Sequence, residues 1–178
     1  MRDLKKIVLV GMPGSGKSTL GKNLAVQMGY RFLDLDDLIE EWEGMPIAEI
    51  FEKKGEAYFR KTESDVLQAT LMRNEPFILA TGGGSPCFNQ NMKKIKKLAL
   101  SVYLEVPLNH LLERLTRTQL EIRPLFFGMD TGEIILKLKS MYIERVKYYE
   151  QSQIILRGED ISPELLISEW MRLLKTKP

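Results

Sequence analysis

Eight consecutive residues, Gly11-Met12-Pro13-Gly14-Ser15-Gly16-Lys17-Ser18, have the types and spacing to hold a polyphosphate. They fit the pattern G-x-x-x-x-G-K-[ST]. The glycines let the backbone curl with its N–H groups pointing inward and no Cβ in the way. Lys17 is placed to reach the outer phosphates, and the Ser18 hydroxyl to bind Mg²⁺. Two more groups suit the same chemistry. Asp34 and Asp36 are two residues apart, so on a regular strand they share a face. One carboxylate there can orient Mg²⁺ through the waters that ion retains. The other can accept, or simply position, the proton of an attacking hydroxyl. Gly82-Gly83-Gly84 is longer than a tight turn needs and permits close approach of a ligand to backbone donors. No Walker-B-like aspartate ends the strand before these glycines, so a metal would rely on Ser18, the phosphates and Asp34.

Five arginines remain as candidates: Arg60, Arg114, Arg117, Arg123 and Arg145. An arginine on a loop can neutralise a transferring phosphate, and its plane can stack on a base. Spacing alone does not choose among them.

These groups require elements that bring them to one edge. The apolar run Ile7-Val8-Leu9-Val10 reads as a buried strand ahead of the phosphate loop. Leu20, Leu24 and Met28 recur at helical spacing after it. Further strands are expected at 30–35, 77–80, 99–106 and 153–156. Helices are expected at 37–43, at 47–54 up to the break at Gly55, at 56–72, after Pro107, at 133–149 and from Pro163 with Ser162 as cap. Strands alternating with helices argue an α/β fold with a mainly parallel sheet. In such sheets ligands collect at the carboxyl ends of the strands, where the loop, Asp34 and the glycine triplet all fall. The helical block at 37–72 exceeds a plain crossover and can wall a substrate pocket. The aperiodic stretch 116–130 reads as a lid.

Length, with no repeats or linkers, indicates a single domain over residues 1–178. A formal net charge of +2 gives no electrostatic case for nucleic acid or a membrane surface, and Lys93, Lys94, Lys96 and Lys97 read as a solvated helix end. One cysteine, Cys87, excludes an internal disulfide and a cysteine metal site. One histidine, His110, excludes a histidine metal cluster and reads as structural. No apolar run approaches membrane-spanning length, and charged residues lead straight into the first strand without a leader. A cytoplasmic enzyme, monomeric and without nucleic-acid or membrane partners, is expected.

Taken in order, the phosphate loop through Thr19, Phe32-Leu33-Asp34-Leu35-Asp36, Phe59-Arg60, Thr81-Gly82-Gly83-Gly84, Arg123-Pro124-Leu125 and Glu144-Arg145 ahead of Tyr149 resemble the shikimate kinase family over nearly the whole chain. The resemblance implies a three-layer α/β/α fold of the P-loop, nucleoside monophosphate kinase-like type. Its sheet would have five parallel strands in the order 2-3-1-4-5. It implies transfer of the ATP γ-phosphoryl group to the 3-hydroxyl of shikimate, an early step toward chorismate and the aromatic amino acids, with Mg²⁺ as cofactor. By the same resemblance Gly14, Ser15, Gly16, Lys17, Ser18 and Thr19 bind the phosphates, and Ser18 and Asp34 serve the metal. Asp36 holds the acceptor hydroxyls and is the candidate base. Arg60 and Arg145 clamp the acceptor carboxylate, with Gly82, Gly83 and Gly84 lining the pocket. Arg123 reaches the phosphates from the lid. Arg117 stacks on adenine, with Arg114 as the alternative because the stretch matches only after a one-residue shift, and Pro163 falls where the adenine loop closes. The family pattern is departed from at Val146-Lys147-Tyr148 and at Ser85-Pro86-Cys87-Phe88, neither of which is expected to touch a ligand-contacting residue. The rival readings are a kinase for gluconate or a nucleoside monophosphate, and a nucleotide-dependent switch. The switch reading lacks an N-K-x-D guanine signature.

Overall fold

A computed structural model describes residues 5–117 and 128–175, without the side chains of residues 116 and 117. Most of the expected lid, and with it Arg123, lies outside the described residues, as does the side chain of Arg117.

Five short strands form one sheet: β1 (Lys6–Val10), β2 (Arg31–Asp34), β3 (Phe77–Ala80), β4 (Leu100–Glu105) and β5 (Ile154–Arg157). Their order is β2-β3-β1-β4-β5, and every neighbouring pair is parallel, as the alternation of strand and helix signals requires. The period of two along each strand sorts its side chains onto two cores. Ile7, Leu9, Ile78, Val102 and Leu104 face one layer, completed by α1 (Lys17–Met28) through Leu20 and Leu24 and by α7 (Pro163–Lys175) through Leu166. Val8, Val10, Phe77, Leu79 and Tyr103 face the other. That layer is filled by α2 (Leu35–Glu43), α3 (Ile47–Leu71), α4 (Asn91–Leu98), α5 (Leu108–Arg117) and α6 (Thr131–Tyr149). Strands buried on both faces explain the near-continuous apolar runs of β1 and β3.

Three elements that carry site residues differ in detail from the sequence expectation. β2 stops at Asp34 rather than continuing to residue 35, because the Asp34 carboxylate accepts the Asp36 N–H at 3.1 Å and caps α2. Asp36 therefore sits in the first helical turn and does not share a strand face with Asp34. The helices expected on either side of Gly55 are continuous except at that residue, whose φ of 80° and ψ of 170° turn the chain. Glu43 ties the end of α2 to both sides of this kink, accepting from Lys54 at 2.6 Å and from Thr62 at 3.2 Å. α6 begins two residues before the expected 133, because Asp130 and Glu133 form a reciprocal capping box. Among the described residues no helix is long and apolar enough to cross a membrane.

Candidate active site

β1 delivers the chain to the phosphate loop at the carboxyl edge of the sheet. Gly16 caps α1 with φ of 90°, a left-handed conformation that costs a glycine little, so the helix N-terminus opens toward the loop. Lys17 is 8% exposed; its Nζ donates to the carbonyls of Gly11 and Met12, both at 2.9 Å. Its ammonium thus lies on the inner rim of the loop, and Ser15 is buried beside it. The Ser18 Oγ donates to Asp34 Oδ2 at 2.8 Å. The other Asp34 oxygen caps α2, so one carboxylate joins the phosphate loop to the helix that carries Asp36.

The loop forms one end of a cleft of about 1270 Å³, large enough for two ligands side by side. Gly14 to Thr19, Asp34, Asp36, Arg60, Gly82, Gly83, Gly84, Arg145 and Pro163 all line it, so the described sequence candidates converge on one cavity. Arg114 lines it too. Its Nη2 donates to the Glu159 carbonyl at 2.7 Å, and its Nη1 would lie 3.6 Å from a Cβ placed on Gly16. With Ile161 and Pro163 nearby, Arg114 occupies the flank where the resemblance leads one to look for a base-stacking arginine. His110 contacts Glu159 at 3.0 Å.

At the other end of the cleft the glycine triplet acts as a hub. A Cβ on Gly82 would stand 3.0 Å from Asp36 Oδ1, one on Gly83 2.9 Å from Pro13 Cδ of the loop and 3.2 Å from Arg145 Nη1, and one on Gly84 3.1 Å from both terminal nitrogens of Arg60. Each glycine lets one charged side chain lie against bare backbone. Asp36 is open to the cleft, but the surrounding protein, Asp34 and, to a smaller degree, Asp37 and Glu40 raise its carboxyl to about 6; Lys17 opposes the shift. A carboxyl near 6 is poised to exchange a proton close to neutral pH.

Several supporting residues are not among the sequence candidates. Glu63, 1% exposed, accepts from Arg60 Nη1 at 2.9 Å; burial raises its carboxyl while Arg60 pulls the other way. Its three-residue spacing from Arg60 on a helix is the signal that could have found it. Tyr149, fully buried, donates its hydroxyl to the Gly83 carbonyl and packs on Tyr103. Burial raises its phenol, with Arg145 opposing. The segment 85–88 does touch a ligand-contacting candidate, against expectation, because the Phe88 ring packs 4.2 Å from the Arg60 guanidinium carbon. Burial pushes the Cys87 thiol up to about 11, which keeps it protonated and a poor nucleophile.

Among the described residues no cluster of three or more His, Cys, Asp or Glu could hold a metal. Ser18 and Asp34 offer hard oxygen donors and a single negative charge, which fits Mg²⁺ held mainly by water and phosphate oxygens.

Similarity to known proteins bears on the same residues. The family model described as shikimate kinase matches residues 13–175. The shikimate kinase of a Clostridium botulinum type A strain is 39% identical over 163 residues, covering 92% of this chain and 93% of that one. The crystal structure of shikimate kinase from Bacteroides thetaiotaomicron superposes with a TM-score of 0.86 at 32% identity, covering 96% of this chain and 98% of that one. The Acinetobacter baumannii shikimate kinase, solved in complex with shikimate, superposes with a TM-score of 0.83, also at 32% identity, covering 98% of this chain and 94% of that one.

Proposed function

Because this chain belongs to the shikimate kinase family and is an ATP-dependent kinase acting on shikimate, we propose how its residues divide the reaction. The carrying observation is the glycine triplet, which sets Asp36, Arg145 and Arg60 side by side next to the phosphate loop, whose Pro13 abuts Gly83. Shikimate offers one carboxylate and three hydroxyls. Two planar guanidinium groups suit the carboxylate, and an aspartate with backbone N–H groups suits the hydroxyls.

In this reading Arg60 and Arg145 fix the carboxylate, and Asp36 hydrogen-bonds the 3-hydroxyl. As that oxygen bonds to the γ-phosphorus of ATP, the bond from phosphorus to the β,γ-bridging oxygen breaks and ADP leaves. Asp36 accepts the hydroxyl proton. Gly14 to Thr19 cradle the phosphates, and Lys17 exchanges its loop carbonyls for β- and γ-phosphate oxygens, neutralising charge on the leaving side. Ser18, with Asp34 behind it, would hold Mg²⁺, which supplies Lewis-acid charge neutralisation at the phosphates. Arg114 and Pro163 flank the base. Arg123 and Arg117, outside the described residues or with an undescribed side chain, keep the phosphate-reaching and base-stacking roles that the resemblance implies. We extend the proposal to a single-domain monomer working in the cytoplasm.

The test is a coupled assay of ADP release with purified protein and a panel of shikimate, gluconate and nucleoside monophosphates. Turnover dependent on shikimate is expected. Turnover only with another acceptor, or ADP release at the same rate without acceptor, would overturn the assignment.

A further inference from the structure

The Arg60 guanidinium is held on every side, and what holds its outer face is not part of the cleft. Its Nη1 meets Glu63 Oε2 at 2.9 Å, and its Nε meets Glu56 Oε1 at 3.3 Å. The Nη1 and Nη2 edge lies against Gly84, on the cleft side. One ring, Phe59, has its centroid 5.0 Å from the guanidinium carbon, and a second, Phe88, lies nearer at 4.2 Å. Both are within the ~6 Å at which a cation is drawn to an aromatic face.

Phe59 is 4% exposed and belongs to the core, whereas Phe88 is 37% exposed. The backbone around it is set with some strain. Asn89 and Gln90 both have positive φ, at 48° and 58°. The segment is also pinned to α3 and to the turn before it. Asn89 Nδ2 donates to the Arg60 carbonyl at 2.8 Å; the buried Asn91 accepts from Ser64 at 2.7 Å and donates to the Ser85 carbonyl at 2.9 Å. Arg60 also borders a second groove outside the cleft, which Phe88 lines as well.

We propose that Phe88 is a positioning residue for the acceptor carboxylate, holding the Arg60 plane so that its Nη edge faces the ligand; this rests on Arg60 binding that carboxylate. Two carboxylates, Glu56 and Glu63, pull the same guanidinium toward α3, and the stacked ring opposes a swing out of plane. It also keeps water off one face, so the ion pair with the ligand forms in a less screened setting.

The experiment compares kcat/KM for shikimate and for its uncharged methyl ester in wild type, Phe88→Ala, Phe88→Leu and Phe88→Tyr. Phe88→Ala is expected to raise KM for shikimate about three- to tenfold, with kcat and KM for ATP within about twofold. The ester should lose no more than about twofold, because the interaction being positioned is absent. Tyrosine, which can stack, should restore wild-type values; leucine, which fills space without a π face, should not. An unchanged KM for shikimate, a parallel loss for acid and ester, or equal rescue by leucine would overturn the proposal. Should the alanine variant lose its circular-dichroism signature of folding, the leucine and tyrosine pair decides by the same criterion. Wild-type protein that fails to phosphorylate shikimate would instead overturn the functional assignment, and this proposal with it.

Discussion

The two ends of the cleft are built on opposite plans. The phosphate-loop end is one uninterrupted run, residues 11–18, proposed to bind phosphates through backbone N–H groups and one lysine. The other end collects single side chains from α2, α3 and α6 around a glycine turn after β3. As proposed, the first plan recognises a feature common to all nucleotides and can be reused unchanged. The second would recognise one particular molecule, and each of its contacts depends on how separate elements pack. Damage at the second end should therefore be selective for the acceptor and should leave ATP binding alone.

The strongest way to break that contrast is Asp36→Asn. Turnover should fall about 10²- to 10⁴-fold while the Kd for ATP stays within about twofold. Parallel losses in stopped-flow turnover and in calorimetric ATP affinity would mean that the two ends are not separable. A finer test uses the triplet. Gly84→Ala forces a Cβ against Arg60 and should raise KM for shikimate about tenfold with kcat nearly kept. Gly82→Ala presses on Asp36 Oδ1 instead and should act on kcat. Identical kinetic signatures for the two alanines would remove the idea that each glycine serves one partner.

The smallest effect concerns stability. The Asp36 carboxyl is raised to about 6 in the folded chain, above its ordinary value of 3.8. Below the ordinary value both folded and unfolded forms are protonated and the group is neutral in the balance. As pH rises through the interval the unfolded chain ionises first, so stability is lost until the folded carboxyl also ionises. Asp36→Asn should then add on the order of 1 kcal/mol of stability near pH 7.5, kept small because cleft water screens the charge and read as a higher Tm, and the gain should vanish toward pH 4. A gain that persists at low pH would point to another cause, such as relief of contact with Gly82.

The same division governs which parts of the fold and site are legible in the amino-acid sequence. The phosphate loop is legible because its residues are adjacent and its strand-then-helix context is local. The break at Gly55 is legible for the same reason, since a glycine between two helical patterns ends both. Asp34 and Asp36 are the right residues, but the sequence suggests the wrong setting for them. A period of two cannot tell a strand residue from a helix cap, and the Asp34 carboxylate ends β2 by bonding forward to Asp36. Glu63 and Phe88 contact Arg60, and Tyr149 contacts Gly83. The Phe88 and Tyr149 contacts are tertiary; the Glu63 spacing leaves a local trace. The choice between Arg114 and Arg117 turns on where the helix places each guanidinium; Arg114 reaches Glu159 and the loop, and the Arg117 side chain is not among the described ones.

Asp34 joins the two plans. One oxygen takes the Ser18 hydroxyl and the other caps the helix that presents Asp36. A substitution here cannot be interpreted as the loss of a metal-supporting charge alone, since it also loosens a helix start worth about 0.5–2 kcal/mol. Asparagine, which still caps, isolates the charge; alanine removes both at once. For anyone seeking to redirect this scaffold to another acceptor, α2 is consequently a poor place to begin, because its N-terminus is geared to the phosphate loop. The triplet-facing arginines can be exchanged without turning that gear.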